Sequence, residues 1–494
     1  MAEDTSLSSD TPGTTNSDQS RQRLFGKLRE ICDDLSLNEP DRVKKDPLRQ
    51  LLEVVCNSDF NHVVDKGSFA TGETEQLLAK LAMSLYDYSR IREYSGKEDV
   101  GYVANDFDGS AEMAAIGMQC FSLIVSKLQP DESERANRIQ KCVAFYALLL
   151  SLEHTEQTLW TSPTSLNASD KLLRDLFDLY GTSAEKLLSG LDDRQGWFGD
   201  ILCFIRPRFM RNNWKQSPSL KHVFQWCLVH VKFPQLSDYL DRVLPACLLL
   251  LDDHEVDNQV MGVRCIDHIV DNVSKTELSW FGRADVIYDS LQKLTYSQDP
   301  QLIRVLHPCL LKILAAMDMK WKKSDALPVV SGYDEIFQRL LYNMEMESKL
   351  DARHAQSQHL TLYIETLGIN TVKHFSQLFR VMFSFLEVYD GPHERTRINV
   401  LNALKATVVT CWPRIPNHCE QILKSLIKLL YETVSDRTVT PHKIRENLIT
   451  EIVECLLLLK RLCPQRTVCA LKVIKQVGLG SICTAYINNV LDTE

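Results

Sequence analysis

Aromatic and basic side chains alternate in one stretch of the sequence, residues 196–228, which reads GWFGDILCFIRPRFMRNNWKQSPSLKHVFQWCL. It holds three of the chain's seven tryptophans and five Arg or Lys residues against a single acid, Asp200. Rings interleaved with bases are typical of a nucleic-acid groove, where nucleobases stack on the rings and cations hold phosphates. The same residue types form hot spots in protein interfaces. The third interpretation is structural, with the rings in a core and the bases at its solvated rim.

Helical periodicity separates the two ends of this stretch from its middle. Apolar residues recur on one helical stripe over residues 197–205, which predicts that Trp197 lies in the core. Ser217 followed by Pro218 predicts the start of a second helix, with a buried stripe between residues 220 and 231. Trp226 falls off that stripe, on a flank where a neighbouring repeat could cover it.

The middle of the stretch, RPRFMRNNWK, belongs to no apolar stripe, and Pro207 disfavours helix at the residue before it. Its aromatic and basic residues are therefore predicted to be presented on the surface rather than packed. We expect them to form a partner-binding site made of Arg206, Arg208, Arg211, Trp214 and Lys215. Contact with nucleic acid and intramolecular packing of Trp214 stay open as alternatives.

Residues that could bind metal or catalyse a reaction are scattered. Cys227 and His230 lie one helical turn apart with His222 eight residues before His230, but a zinc site needs about four converging ligands. Glu451 and Glu454 are a helical i,i+3 pair, which is typical of a solvated face. HExxH, GxxxxGK[ST] and GxSxG motifs are absent from the sequence. We therefore predict that the chain is not an enzyme and has no catalytic residue, no metal site and no cofactor.

The overall charge argues against a duplex-binding protein. The net charge is −9, and the first twenty residues contribute four acids and no base to it. Affinity for a duplex rests on phosphate neutralisation and normally needs a basic excess. Nucleic acid is therefore not the favoured partner.

Cysteine usage and hydropathy predict the compartment. The fifteen cysteines form no CxxC pair and lie mostly in apolar helical stretches, which is typical of buried thiols in a reducing compartment. The acidic, polar first twenty residues do not have the pattern of a signal peptide. The longest uncharged run, residues 113–126, is shorter than the roughly 18 residues of a bilayer span. We expect an intracellular protein, cytoplasmic and/or nuclear, without a membrane partner.

A recurring arrangement sets the architecture: a helix ends in an acidic turn, and the next helix opens with an arginine. Successive acidic anchors lie 47, 52, 39 and 46 residues apart, close to the spacing of HEAT-type helical pairs. This pattern predicts an all-α fold, an α-solenoid of HEAT-like helical repeats. We interpret each pair of an aspartate and the following arginine as helix capping rather than as a chemical site. The pairs are Asp252 and Arg264, Asp299 and Arg304, Asp351 and Arg353, Asp390 and Arg397, and Asp436 and Arg445.

Composition along the chain predicts three regions. Residues 1–20 are rich in Ser, Thr and Asp and are expected to form a disordered acidic tail. Residues 21–195 form an N-terminal helical region, because apolar stripes are separated there by loop-like Gly, Asp, Asn and Ser clusters. Residues 196–494 form the HEAT-like solenoid.

Whole segments of the chain resemble a known family. The segments are WFGDILCFIRPRFMRNNWKQSPSLKHVFQWCL, LLLLDDHEVDNQVMGVRCIDHIVDNV, ELSWFGRADVIYDSL and QDPQLIRVLHPCLLKIL, all within residues 196–320. They resemble the core of the Tel-two-interacting protein two family, a component of the Triple-T (TTT) co-chaperone complex. The resemblance extends more loosely to about residue 480 and contains no diagnostic set of residues.

This resemblance implies a non-catalytic HEAT-like scaffold. Its implied partners are the large HEAT-repeat solenoid subunit and the Tel-two protein of the TTT complex. Together with the ninety-kilodalton heat-shock chaperone and its adaptor, the family supports the stability and maturation of phosphatidylinositol-3-kinase-related kinases in DNA-damage and nutrient signalling. The alternative is a HEAT-type solenoid that binds nucleic acid or transport cargo through the basic-aromatic segment.

Overall fold

A computed structural model of the protein describes residues 16–36, 46–57, 72–94, 101–128, 134–191, 194–321, 331–435, 440–477 and 480–493. The helices in these ranges are α1 (Asn16–Ser36), α2 (Asp46–Cys56), α3 (Gly72–Ser89), α4 (Ser110–Lys127), α5 (Glu134–Leu152), α6 (Pro163–Tyr180), α7 (Ala184–Ser189), α8 (Phe198–Ile205), α9 (Leu220–Val229), α10 (Leu240–Leu251), α11 (Val256–Asn272), α12 (Lys275–Ser279), α13 (Arg283–Leu294), α14 (Pro300–Trp321), α15 (Gly332–Met346), α16 (Leu350–Ser357), α17 (Leu360–Leu367), α18 (Phe375–Glu387), α19 (Arg395–Thr410), α20 (Cys419–Ser435), α21 (His442–Leu462), α22 (Pro464–Val477) and α23 (Ser481–Asp492). Two short strands, β1 (Gly190–Leu191) and β2 (Arg194–Gln195), pair in antiparallel fashion.

The first compact unit, Met1–Ala246, stacks helical pairs in two layers. Helices α1, α3 and α5 pack side by side in one layer, and α2, α4 and α6 in the other. Local signals set the helix ends: Ser162 accepts a hydrogen bond from the Ser165 amide (3.2 Å) at the start of α6, and Gly181 ends it at a φ of +57°.

The second compact unit, Cys247–Glu494, repeats this arrangement. Helices α11, α14, α16–α17, α19 and α21 pack in succession, while α15, α18 and α20 pack together on their other side. Each pair buries one face on its partner and another on the next pair, as stacked repeats must. The predicted all-α, HEAT-like α-solenoid fold is confirmed.

The predicted region boundaries differ from the observed landmarks. Helix α1 begins at Asn16, so residues 16–20 of the predicted tail are helical, and residues 1–15 lie outside the described residues. The chain passes from the first to the second unit inside α10, whereas the predicted division after residue 195 coincides with β2. The division into 1–20, 21–195 and 196–494 stays a prediction.

One helix has the length and hydropathy of a membrane span, although none was expected from the sequence. Residues Pro300–Asp318 of α14 have a mean hydropathy of 1.2 over the length of a membrane span. However, 61% of this segment is buried within the protein, and α14 packs against α11, α13 and α16. Most of its apolar surface is therefore covered by neighbouring helices, as in a core helix of the second unit.

The recurrent acidic and arginine residues act as caps and ties. Asp299 Oδ1 accepts hydrogen bonds from the amides of Gln301 (2.8 Å) and Leu302 (3.2 Å), which caps α14. Arg353 is buried and donates to the Glu347 carbonyl (3.1 Å) and, in the next helical pair, to the Ser384 carbonyl (3.2 Å). This arginine therefore ties one repeat to the next, a structural role that the capping interpretation did not include.

One of the predicted pairs does not follow this pattern, and another lies partly outside the described residues. Asp252 and Arg264 are both exposed, and the turn is held instead by Asp253, which accepts a hydrogen bond from Asn258 Nδ2 (2.5 Å). Asp436 lies outside the described residues, so its pairing with Arg445 stays a prediction.

Candidate functional site

The predicted partner-binding residues lie in a folded connection between α8 and α9. Residues 206–208 and 214–216 form two short 3₁₀ turns. Between them, the Asn213 side chain donates to the Pro207 carbonyl (2.9 Å) and accepts from the Met210 amide (3.1 Å). These bonds compact the connection and fix the directions of its side chains.

The four bases of this segment, defined here as residues 206–215, have different surroundings. Arg206 and Arg211 are exposed. Arg208 is partly covered: its Nε lies 3.5 Å from Glu93 Oε1, and its guanidinium lies 5.3 Å from the centre of the Phe204 ring. The Lys215 ammonium lies 5.5 Å from the centre of the Trp214 ring. The structure therefore presents two of the bases and holds the other two against the protein.

Trp214 is not presented, contrary to the sequence prediction. Only 6% of it is exposed, and its ring packs edge-to-face on Phe209, with 6.1 Å between ring centres. The turn that carries it is held from outside, because the Tyr94 amide donates to the Gln216 carbonyl (2.7 Å) and the Tyr102 hydroxyl to the Lys215 carbonyl. The prediction was wrong since helical periodicity does not describe a 3₁₀ turn, so a ring off the helical stripe can still face the core.

The other two tryptophans of the stretch follow the sequence analysis more closely. Trp197 is buried, with its ring centre 5.3 Å from that of Tyr180, which confirms its predicted core position. Trp226 is half-buried, and its ring lies 4.0 Å from the His230 ring. His230 Nδ1 also lies 2.7 Å from the Trp226 carbonyl, so this pair is satisfied within α9 and its C-terminal residue.

Among the described residues, the most exposed pair of adjacent aromatics lies elsewhere, in a turn before α13 that was not predicted as a site from the sequence. We call residues 280–282, Trp280, Phe281 and Gly282, the aromatic turn. Trp280 is 55% exposed and Phe281 89%. Both Phe281 (φ +55°) and Gly282 (φ +68°) have left-handed backbone, and Arg283 lies 5.3 Å from the centre of the Phe281 ring. Two adjacent aromatics before a glycine, between two helices, were the available signal for this site.

A second exposed surface lies at the C-terminal end of α13 and along α15. Tyr296 is 64% exposed, and the Arg339 guanidinium stacks 4.3 Å from its ring centre while donating to its hydroxyl (2.9 Å). On the same face of α15, at helical spacing from Arg339, lie Tyr342 and Met346, which are 51% and 66% exposed. Tyr, Arg and Met are the residue types enriched in protein interfaces. We call these four residues the α15 surface.

The aromatic turn and the α15 surface flank one helix. The aromatic turn precedes the first residue of α13, and Tyr296 follows its last residues. A helix of this length spans about 18 Å. The two surfaces are therefore separated by a distance that a single partner domain covers.

Two buried titratable groups in the described residues, Glu153 and His307, have partners inside the protein. Glu153 accepts hydrogen bonds from the Tyr86 hydroxyl (2.9 Å) and the Ile91 amide (3.0 Å), and its burial raises the pKa of its carboxyl. His307 Nδ1 lies 2.9 Å from the Tyr363 hydroxyl, and burial lowers the pKa of His307. These groups join helices within a unit rather than face a cleft.

Metal and thiol chemistry has little support in the described part of the chain. Among these residues no group of three or more His, Cys, Asp or Glu side chains is placed to hold a metal ion. Burial raises the pKa of the Cys32 thiol to about 11 and those of Cys120 and Cys455 to about 12, so these thiols stay protonated near neutral pH.

Comparison with known proteins places this chain among named relatives. A sequence model of the Tti2 family matches residues 205–392, a range that includes the 206–215 segment, the aromatic turn and the α15 surface. The human protein TELO2-interacting protein 2 is 30% identical over 427 residues, covering 85% of this chain and 83% of the human protein. The mouse protein of the same name is 33% identical over 315 residues, covering 63% of this chain and 61% of the mouse protein.

Among solved structures, a crystal structure of importin beta aligns with 97% of this chain and 58% of the importin chain, at a TM-score of 0.48 and 12% identity. The sequence relationship carries the assignment, since the identity to the human relative extends over most of both chains. This chain belongs to the Tti2 (TELO2-interacting protein 2) family.

Proposed function

We propose that the protein is a non-catalytic scaffold subunit of a TTT-like co-chaperone complex. In this role it binds the Tel-two protein and the large HEAT-repeat solenoid subunit. With the ninety-kilodalton heat-shock chaperone and its adaptor, the complex supports the stability and maturation of phosphatidylinositol-3-kinase-related kinases in DNA-damage and nutrient signalling. The proposed location is the cytoplasm and/or the nucleus.

The structural observation that carries this proposal is the exposure of two adjacent large rings in the aromatic turn. This turn lies within the part of the chain that matches the family. An exposed Trp-Phe pair loses apolar contact with water when a partner covers it, and interface hot spots are enriched in such residues. The name of the curated relatives supports a Tel-two protein as the partner. We assign the aromatic turn as the anchor of this contact.

The exposed bases of the 206–215 segment have a different role in the proposal. Arg206 and Arg211 project into solvent without a presented ring beside them, because Trp214 is buried. Rim charges of this kind steer association more than they hold a complex. Arg208 and Lys215 remain proposed partner contacts of the same kind, weakened by their internal contacts.

The alternative, nucleic-acid or transport-cargo binding through this segment, loses its main support. Single-stranded nucleic acid binds to a groove whose rings stack on nucleobases, and the ring that the segment offered is packed on Phe209. The remaining Arg and Lys side chains could contact phosphates, but such contacts do not recognise the nucleotide sequence. A protein partner is therefore the better assignment.

Co-expression with the Tel-two protein and the large solenoid subunit tests the proposal. The expected result is one stoichiometric complex, measured by size-exclusion chromatography with light scattering. Trp412→Ala is the matched control for changes in the aromatic turn, since Trp412 is 60% exposed on another helix end. A well-behaved monomer that forms no complex with either partner would overturn the proposal.

A further inference from the structure

A groove lined by both polar and apolar side chains runs between α16–α17 and α19 in the second unit. Its volume is about 580 Å³, within the roughly 300–1,000 Å³ of ligand-holding pockets. Thr361 and Glu365 line one wall from α17, and Asn399, Asn402 and Val409 line the other from α19. None of these residues belongs to the aromatic turn, the α15 surface or the 206–215 segment.

The wall formed by α19 offers paired donors and acceptors. Asn399 and Asn402 are three residues apart, so both side chains lie on one face of the helix, with their Cβ atoms about 5–6 Å apart. Asn399 Nδ2 donates to Ser357 Oγ (3.1 Å) across the groove. The half-buried side chains of Asn402 and Thr361 have no hydrogen-bond partner within the described part of the protein. Polar side chains in this setting retain capacity for an external partner.

This spacing fits an extended polypeptide. Alternate residues of a strand are about 6.6 Å apart, and each residue offers one N–H and one C=O. A carboxamide side chain can donate to the carbonyl and accept from the amide of such a backbone. The wall from residue 399 to residue 410 is about 16 Å long, enough for about five extended residues.

The charge at the groove favours a cationic occupant. Lys405, which also lines it, lies with Nζ 2.6 Å from Glu451 Oε2 and 2.7 Å from Glu454 Oε2. Glu451 and Glu454, which lie beside the groove rather than in its lining, leave one net negative charge around this ammonium. The exposed carboxylate of Glu365, in the lining itself, adds a second. The acidic first twenty residues of this chain are the wrong charge for this groove.

We propose that this groove binds an extended peptide segment of another protein, with a Lys or Arg near Glu365 and an apolar residue on Val409. Val409 is 61% exposed, so an apolar side chain removes its surface from water. The site goes beyond the proposed function, because it uses other residues and needs neither the Tel-two protein nor the large solenoid subunit.

Selection from a phage-displayed library of short random peptides on the full-length protein tests the site. The winning peptides are then synthesised with fluorescein and titrated by fluorescence polarisation. The expected result is enrichment of Lys or Arg beside apolar residues. Asn402→Ala is expected to weaken binding about fivefold, the value of one neutral hydrogen bond. Glu365→Lys is expected to weaken it about tenfold and to select acidic peptides instead.

Matched exposed positions outside the groove provide the controls. Asn370→Ala and Glu420→Lys make the same chemical changes elsewhere in the unit and are expected to leave peptide affinity unchanged. Thermal unfolding of each variant verifies that it is folded. Failure of the library to enrich any peptide, or enriched peptides that bind Asn402→Ala and Glu365→Lys as tightly as the original protein, would overturn the inference. Either result leaves complex formation with the Tel-two protein untouched, so the two proposals fail separately.

Discussion

The 206–215 segment and the aromatic turn each have an aromatic ring near a cation, but they place the ring in opposite surroundings. In the first unit the Lys215 ammonium lies 5.5 Å from the centre of the Trp214 ring, and in the second the Arg283 guanidinium lies 5.3 Å from that of Phe281. Trp214 is 6% exposed, whereas Phe281 is 89% exposed. Similar ring-to-cation geometry therefore accompanies a packed ring in one segment and a presented ring in the other.

The backbone explains this difference. The turn that carries Trp214 is tied to residues 94 and 102 through its carbonyls, so the indole is directed onto Phe209. In the aromatic turn, two consecutive residues have positive φ, and one of them is not glycine. A left-handed conformation costs a side-chain-bearing residue about 1–2 kcal/mol. A strained residue that holds its ring out of the protein, with almost no packing in return, points to a functional site at this turn.

The largest effect expected from this comparison is on stability. Trp214→Ala removes a buried indole and leaves a cavity against Phe209, so the free energy of unfolding should fall by about 3–5 kcal/mol. Chemical denaturation monitored by circular dichroism measures it. The exposed Trp412 is the control, and Trp412→Ala should change the free energy of unfolding by no more than about 0.5 kcal/mol. Equal stabilities of the two variants would contradict the burial of Trp214.

The second effect is on binding. Replacing both Trp280 and Phe281 by Ala should weaken binding to the Tel-two protein by about 30-fold or more, the size of a hot spot worth about 2 kcal/mol. Stability should change little, because both rings are mostly exposed. Isothermal titration calorimetry with the purified partner measures the change, and Trp412→Ala again serves as control. Unchanged affinity would show that exposure at this turn does not mark the contact.

The repeat pattern and the core were predictable from the sequence because stacked helical pairs must bury periodic stripes. The stripe through Trp197 and the one from Leu220 to Val231 were both predicted and are buried. The direction of Trp214 was not predictable in this way, since hydrogen bonds from residues more than a hundred positions earlier in the chain orient its turn.

The functional surfaces were harder to predict for a similar reason. The sequence WFGR between α12 and α13 contains the aromatic turn, but only the structure shows that the Phe281 ring lies outside the core, where it is 89% exposed. On α15, Tyr342 and Met346 have the same residue types as core positions, and exposure depends on which helices neighbour them. Periodicity identifies a buried stripe well, but it does not reveal a surface whose apolar residues are left uncovered for a partner.

The third comparison distinguishes the contribution of the Phe281 ring to binding from the cost of its left-handed backbone to stability. Phe281→Gly and Phe281→Ala both remove the ring and should weaken partner binding alike. Glycine accepts a positive φ without cost, so Phe281→Gly should be more stable than Phe281→Ala by about 1 kcal/mol. Thermal denaturation of the two variants measures this difference. If the alanine variant is equally stable, the turn is not strained and its backbone does not explain the exposure of Phe281.

The smallest effect concerns the exposed bases of the 206–215 segment. With Trp214 buried, Arg206 and Arg211 act only through charge, so replacing both by Ala should slow association with the Tel-two protein a few-fold at low salt. At a physiological ionic strength, where the Debye length is about 8 Å, the effect should nearly disappear. Stopped-flow kinetics over a salt series measures it, and Lys472→Ala with Lys475→Ala removes the same charge from an exposed helix elsewhere. Equal slowing by both pairs of substitutions would assign the effect to net charge alone. A loss of binding that is specific to Arg206 and Arg211 and resists salt would instead mean that these arginines contact the partner directly. The segment would then bind without its tryptophan.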